Sequence, residues 1–135
     1  MKIDGGCFCG EVTFEAQVEP GHVLICHCTD CQRMSGSAFR TIVPAPADRF
    51  RLISGAPKTF VKVADSGNRR VNAFCATCGT QLWSSVEGKP SAPIAIRAGT
   101  VTQRDQLPPQ RQIWRRSAQS WLAGIDALPS RDTQR

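Results

Sequence analysis

Cys75-Ala76-Thr77-Cys78-Gly79 has the outline of a zinc knuckle. Two thiolates converge across a tight turn, and the glycine after the second can take the positive φ angle that closes it. Working outward, Cys7-Phe8-Cys9-Gly10 has the same ending with one residue fewer between its sulfurs. Residues two apart in an extended chain share a face, so Cys7 and Cys9 can meet one ion. The two knuckles together make a closed four-sulfur site, which would pin the amino-terminal segment to the region of Val71–Trp83. Paired knuckles of this kind signal a scaffold.

The chain has seven cysteines, and the remaining three lie together in Cys26-His27-Cys28-Thr29-Asp30-Cys31. Seven does not divide into two four-ligand sites; it divides into four plus three. A zinc ion held by Cys26, Cys28 and Cys31 would carry one net negative charge and keep one open corner, as catalytic zinc does. Cys31 falls in the first turn of an expected helix, whose amino end lowers thiol pKa. Three other readings stay open. A fourth ligand can come from His22, His27 or an acid; the three thiols can be metal-free; or cysteines of different clusters can share an ion. His27 should face away from its two neighbours in an extended segment, which suits a neighbouring or surface role better than ligation, and His22 has no local partner. Ser35 and Ser37 either offer hydroxyls near the open corner or simply end the helix.

At 135 residues, with 41% hydrophobic residues, the chain is expected to be a single domain with a modest core. Structural zinc, worth about 10–16 kcal/mol of apparent folding energy in small domains, would supplement it. The opening Met-Lys-Ile-Asp-Gly-Gly lacks a signal-peptide core, and no apolar run approaches a membrane span. A cytoplasmic location, where thiols stay reduced, is the expectation. A disulfide framework competes with it, but an odd count in metal-type clusters argues for ligation. Seven thiolates holding two Zn²⁺ would lower the formal charge of +6 to about +3. The excess is uneven: Arg97 to Arg135 holds seven arginines against Asp105, Asp126 and Asp132, a region that can attract an acidic small molecule or a phosphate backbone, or remain a solvated surface.

Short alternating stretches dominate the rest. Glu11–Ala16, Val23–Cys26, Phe39–Val43, Phe50–Ile53, Thr59–Val63, Val71–Phe74, Gln81–Ser84 and Ile94–Ala98 read as strands. Pro44 and Pro46, Ser54-Gly55, Ser66-Gly67-Asn68 and Glu87-Gly88 punctuate them, which predicts a mainly β chain. Thr29-Asp-Cys-Gln32 fits a capping box, with Gly36 ending the turn. A second helical piece is expected around Ser117–Leu122, with Trp114 and Trp121 as core plugs.

The assembled residues resemble a known family. Gly5-Gly6-Cys7-Phe8-Cys9-Gly10-Glu11-Val12, Cys26-His27-Cys28-Thr29-Asp30-Cys31-Gln32-Arg33, Ser35-Gly36-Ser37 and Phe74-Cys75-Ala76-Thr77-Cys78-Gly79 are similar to the glutathione-dependent formaldehyde-activating enzymes, a family that includes centromere protein V. Ala98-Gly99-Thr100 and Trp121 before Leu128-Pro129 extend the likeness. The resemblance implies one domain over residues 1–135, a zinc-stabilised β-tent of small stacked antiparallel sheets with short helical turns. It implies two Zn²⁺ per chain: a structural ion on Cys7, Cys9, Cys75 and Cys78, and a catalytic ion on Cys26, Cys28 and Cys31. It also implies the joining of glutathione and formaldehyde to S-hydroxymethylglutathione, a carbon–sulfur lyase reaction in the reverse sense.

Two functions follow as expectations. In the first, the open corner takes the sulfur of glutathione or another small thiol, which attacks an aldehyde carbon; Arg33 and Arg40 are the nearest cations for the thiol's carboxylates, and water or Ser35 is the acid. In the second, the chain is a non-catalytic binding module with two structural zincs. The lack of a dense Lys/Arg run and of tyrosine argues against nucleic acid as the partner of such a module.

Overall fold

The computed structural model of the chain describes residues 1–134. Ten strands run in the order β1 (Lys2–Gly6), β2 (Thr13–Gln17), β3 (Leu24–Cys26), β4 (Arg40–Ala45), β5 (Phe50–Ser54), β6 (Lys58–Val63), β7 (Arg69–Phe74), β8 (Gln81–Val86), β9 (Ile94–Arg97) and β10 (Arg111–Ile113). Among the described residues there is one α-helix, α1 (Thr29–Ser35), between β3 and β4. The expected mainly β class is what the chain adopts.

The strands form two sheets: β1-β2-β5, and a longer one in the order β10-β3-β4-β9-β8-β7-β6. All pairings are antiparallel except β10 against β3. Alternation dictates which face each strand buries. In β2, Phe14 and Ala16 point inward between polar neighbours. Phe14 and Phe50 of the smaller sheet meet Trp83 of the larger one, with ring centroids 4.8 to 5.8 Å apart. That aromatic contact, with Ile3, Val43, Leu82, Ile96 and Val101, is the core between the sheets.

Two strands were not anticipated. Gly5-Gly6 reads as a strand breaker, yet β1 pairs with β2 along its whole length. A Cβ on Gly5 would collide with the Thr100 carbonyl and the Phe14 ring, so close packing explains the glycine. β10 follows Pro108-Pro109 and carries no periodic signal; it exists because Arg111–Ile113 finds β3. β4 runs through Pro44, expected as a turn residue. Pro44 lies past the end of the pairing with β3, where the strand has one neighbour and a missing N–H is tolerated.

The helical expectations need two corrections. The amino-terminal cap of α1 is Cys28, whose sulfur accepts from the Cys31 amide, and not Thr29; Gly36 ends the helix in the left-handed conformation as expected. The helical piece expected around Ser117–Leu122 is present as 3-10 turns, Arg115–Ser117 and Ser120–Ala127. Trp114 and Trp121 are not core plugs: they are 42% and 56% exposed. Among the described residues no helix is long and apolar enough to cross a membrane.

Candidate metal centre

Two groups of sulfurs converge among the described residues: Cys7, Cys9, Cys75 and Cys78, and separately Cys26, Cys28 and Cys31, each with its sulfurs within 4.8 Å of one another. The four-plus-three partition therefore matches the geometry, and neither group contains a histidine or a carboxylate.

The four-sulfur group ties the two sheets together. Cys7 and Cys9 follow β1, and Cys75 and Cys78 lie in the turn from β7 to β8. Gly10 and Gly79 close the two knuckles at φ 84° and 77°. Cys9 Sγ is 3.5 Å from Cys7 Sγ and 3.7 Å from Cys75 Sγ. A tetrahedron of Zn–S bonds of about 2.3 Å has edges of about 3.8 Å, so the cradle is the right size for zinc. Amides aim at the sulfurs: Val12 N–H donates to Cys7 Sγ and Cys78 N–H to Cys75 Sγ. Thr80, which nothing in the sequence singled out, serves both knuckles. Its hydroxyl meets Cys78 Sγ at 3.2 Å and accepts from the Phe8 amide. That hydroxyl, with amides, lowers the Cys78 thiol to about 5 and favours the ligating thiolate.

The three-sulfur group sits where β3 passes into α1. Cys26 and Cys31 are buried and Cys28 half-buried. A bond from Cys31 holds the Cys26 thiol below its usual range, and the same bond holds Cys31 well above it; burial raises Cys28. The lowering expected for Cys31 from the helix end is thus outweighed by the neighbouring Cys26 sulfur and by burial. Binding of a divalent ion would release the thiol protons.

His27 does face away from the sulfurs. Its Nε2–H donates to Gln112 Oε1 at 2.7 Å, and it is buried rather than on the surface. Its backbone N–H reaches Ile113 O of β10. Gln32 donates to His27 O and Ser117 O and accepts from Gln119. These bonds strap the segment after β10 over the trio. Ser35 and Ser37 bond within the helix end and do not line the space beside the sulfurs.

That space is a cavity of about 270 Å³ lined by the trio together with Arg40, Arg70, Arg97 and Trp114. A second hollow, of about 440 Å³, continues outward from it, sharing Cys28, Asp30, Lys62, Arg70 and Trp114 and adding Arg116 and Ser117. Arg40 and Arg97 are 8% and 7% exposed. No carboxylate among the described residues pairs with Arg40, Arg70 or Arg97, whereas Lys62 is balanced by Asp30 at 2.8 Å. Their partners are neutral: Gln81 for Arg40, Ser84 for Arg70, and Asn72 with the Ala95 carbonyl for Arg97. Burial, with Arg40 adding repulsion, lowers Arg97 to about 9, so it stays cationic at neutral pH. Of the two expected cations, Arg40 lies at the site and Arg33 does not. Arg70 and Arg97 were missed because they come from β7 and β9, far from the trio in sequence.

Residues 2–117 match the family described as glutathione-dependent formaldehyde-activating enzyme. The chain belongs to that family. The crystal structure of a Rhodobacter sphaeroides protein has the same fold: it is 20% identical, with 81% of this chain and 98% of that chain covered, at a TM-score of 0.60. In this member of the glutathione-dependent formaldehyde-activating family, two cysteine clusters are able to hold metal ions. The matched stretch includes both clusters and all three cavity arginines.

Proposed function

We propose that the chain is a zinc-dependent carbon–sulfur lyase acting on an adduct of a small thiol and an aldehyde, of the S-hydroxymethylglutathione type. The observation that carries this reading is a trio of converging sulfurs without a fourth protein ligand among the described residues, facing a cavity. In this reading Cys7, Cys9, Cys75 and Cys78 hold a structural zinc, and Cys26, Cys28 and Cys31 hold the catalytic one. Zinc at the trio would supply a Lewis acid that keeps a substrate thiol ionised at neutral pH.

The chain's own residues do the rest. The arginines offer charge to an anionic substrate, and Trp114 lines the cavity beside the sulfurs. In the synthetic direction the sulfur lone pair forms the C–S bond, the carbonyl π pair moves to oxygen, and that oxygen takes a proton from water. Cleavage reverses each movement. Water is the acid in this reading, since Ser35 bonds at the helix end and does not line the cavity. A single domain over residues 1–135, a cytoplasmic setting and glutathione as the thiol complete the proposal. A closed binding module fits less well, since the trio has no fourth protein ligand among the described residues and faces a cavity.

The test is exchange spectroscopy of glutathione with formaldehyde at zinc-loaded protein, alongside zinc content. The reading predicts two zinc ions per chain, exchange faster than without protein, and a changed visible spectrum of the cobalt-substituted trio on adding glutathione. Exchange at the uncatalysed rate would reject this substrate pair.

A further inference from the structure

A buried cation without a counter-ion is costly, by several kcal/mol in a real protein. Arg40, Arg70 and Arg97 line one small cavity whose carboxylate, Asp30, is paired with Lys62 at 2.8 Å and with none of the three arginines. Arg97 Nε is also a buried donor with no hydrogen-bond partner. A filled trio, with one dication among three thiolates, carries a single net negative charge and leaves a surplus of positive charge in the cavity. Formaldehyde is neutral and would make no use of it. The far carboxylates of a thiol such as glutathione have another cation in the outer hollow, Arg116.

We infer that Arg40, Arg70 and Arg97 form a carboxylate subsite beside the trio, and that the aldehyde partner is a small oxo acid carrying its carboxylate next to the reacting carbon. The inference rests on the lyase reading above and narrows its substrate class. A cavity of about 270 Å³ has room for the two-carbon oxo acid that this description fits. The step is balanced without an oxidant: the thiol S–H loses its proton, sulfur bonds to the aldehyde carbon, and the carbonyl oxygen gains a proton. The product is a 2-hydroxy-2-thio acid whose carboxylate stays on the guanidinium groups.

Glyoxylate and formaldehyde should be compared as electrophiles at zinc-loaded wild-type protein, with glutathione and with cysteamine, a thiol lacking carboxylates. Each rate is read as an excess over the uncatalysed reaction. Glycolate, an unreactive carboxylate, is titrated separately by calorimetry. We expect glyoxylate to exceed formaldehyde in kcat/KM by about tenfold or more with both thiols. Glycolate should bind, and Arg70→Gln should weaken it about tenfold; Arg97→Lys, which keeps the charge but loses the fork, should weaken it too. Equal acceleration of both aldehydes overturns the inference and leaves the lyase reading standing. A preference seen with glutathione and lost with cysteamine assigns the arginines to the thiol and also overturns it. Acceleration of neither aldehyde overturns the lyase reading, and this substrate assignment with it. The wild-type comparisons decide the matter even if a variant fails to fold.

Discussion

Cys28 is the most informative single residue. It caps α1 through its sulfur and belongs to the trio, yet it is only half-buried. Serine can cap the helix equally well. Cys28→Ser is therefore expected to keep the far-ultraviolet circular dichroism and most of the melting temperature, while zinc falls from about two to about one per chain and turnover is lost. Cys78→Ser should behave oppositely. It opens the site that joins the sheets, and the melting temperature should drop by more than about 10 °C in a calorimetric scan. The cysteines were legible because ligands one or two residues apart announce themselves locally. Arg70 and Arg97 were not, because a lone arginine on a strand looks the same whether it faces water or a cavity. Trp114 was misread for a related reason. It takes a positive φ of 57° and stacks beneath Arg116 at 4.9 Å, an arrangement that a tryptophan's bulk alone does not suggest.

Among the elements, the strands that announced themselves have β-branched or aromatic residues on one face, as in Thr13–Gln17 and Lys58–Val63. β1 and β10 have too few such residues, and only their partners make them strands. Gly5 tests this for β1. Gly5→Ala leaves intrinsic strand preference no worse but drives a methyl group into the Thr100 carbonyl and the Phe14 ring. A loss of about 1–3 kcal/mol is expected in urea unfolding, with metal binding at the trio retained. Unchanged stability would show that the close approach of β1 to the Ala98–Thr100 turn is not needed. The helix α1 was legible in place and in its glycine end. Its cap was not, because the sulfur that caps it is also a ligand-type residue and a general capping rule favours Thr29.

At the scale of the whole molecule, the two sulfur groups should come apart under chelation. A three-ligand site yields its ion first, abolishing turnover with little change in fold; the four-sulfur site follows, with loss of cooperative unfolding. A zinc-release titration followed together with circular dichroism reads both events. The amino-terminal strand also has a pH-dependent tether. Asp4 accepts from Gln103 Nε2 at 2.7 Å and from the Thr102 hydroxyl at 3.0 Å. These bonds, Gln103 first, hold its carboxyl below the ordinary value of 3.8. Its stabilising contribution is then present above pH 3.8 and lost as pH falls through the lower folded value. Asp4→Asn should melt slightly below wild type near pH 6, with the gap closing in acid. What the chain's sequence determined by itself was local: the knuckles, the trio, the alternating strands and the family they mark, since each depends on residues within a few positions of one another. Only the tertiary structure decided that β1 and β10 are strands, that Thr80 serves two knuckles, and that arginines from β4, β7 and β9 surround the trio. Those facts depend on which distant segments meet, and a buried charge shows its lack of a partner only after the chain has closed around it.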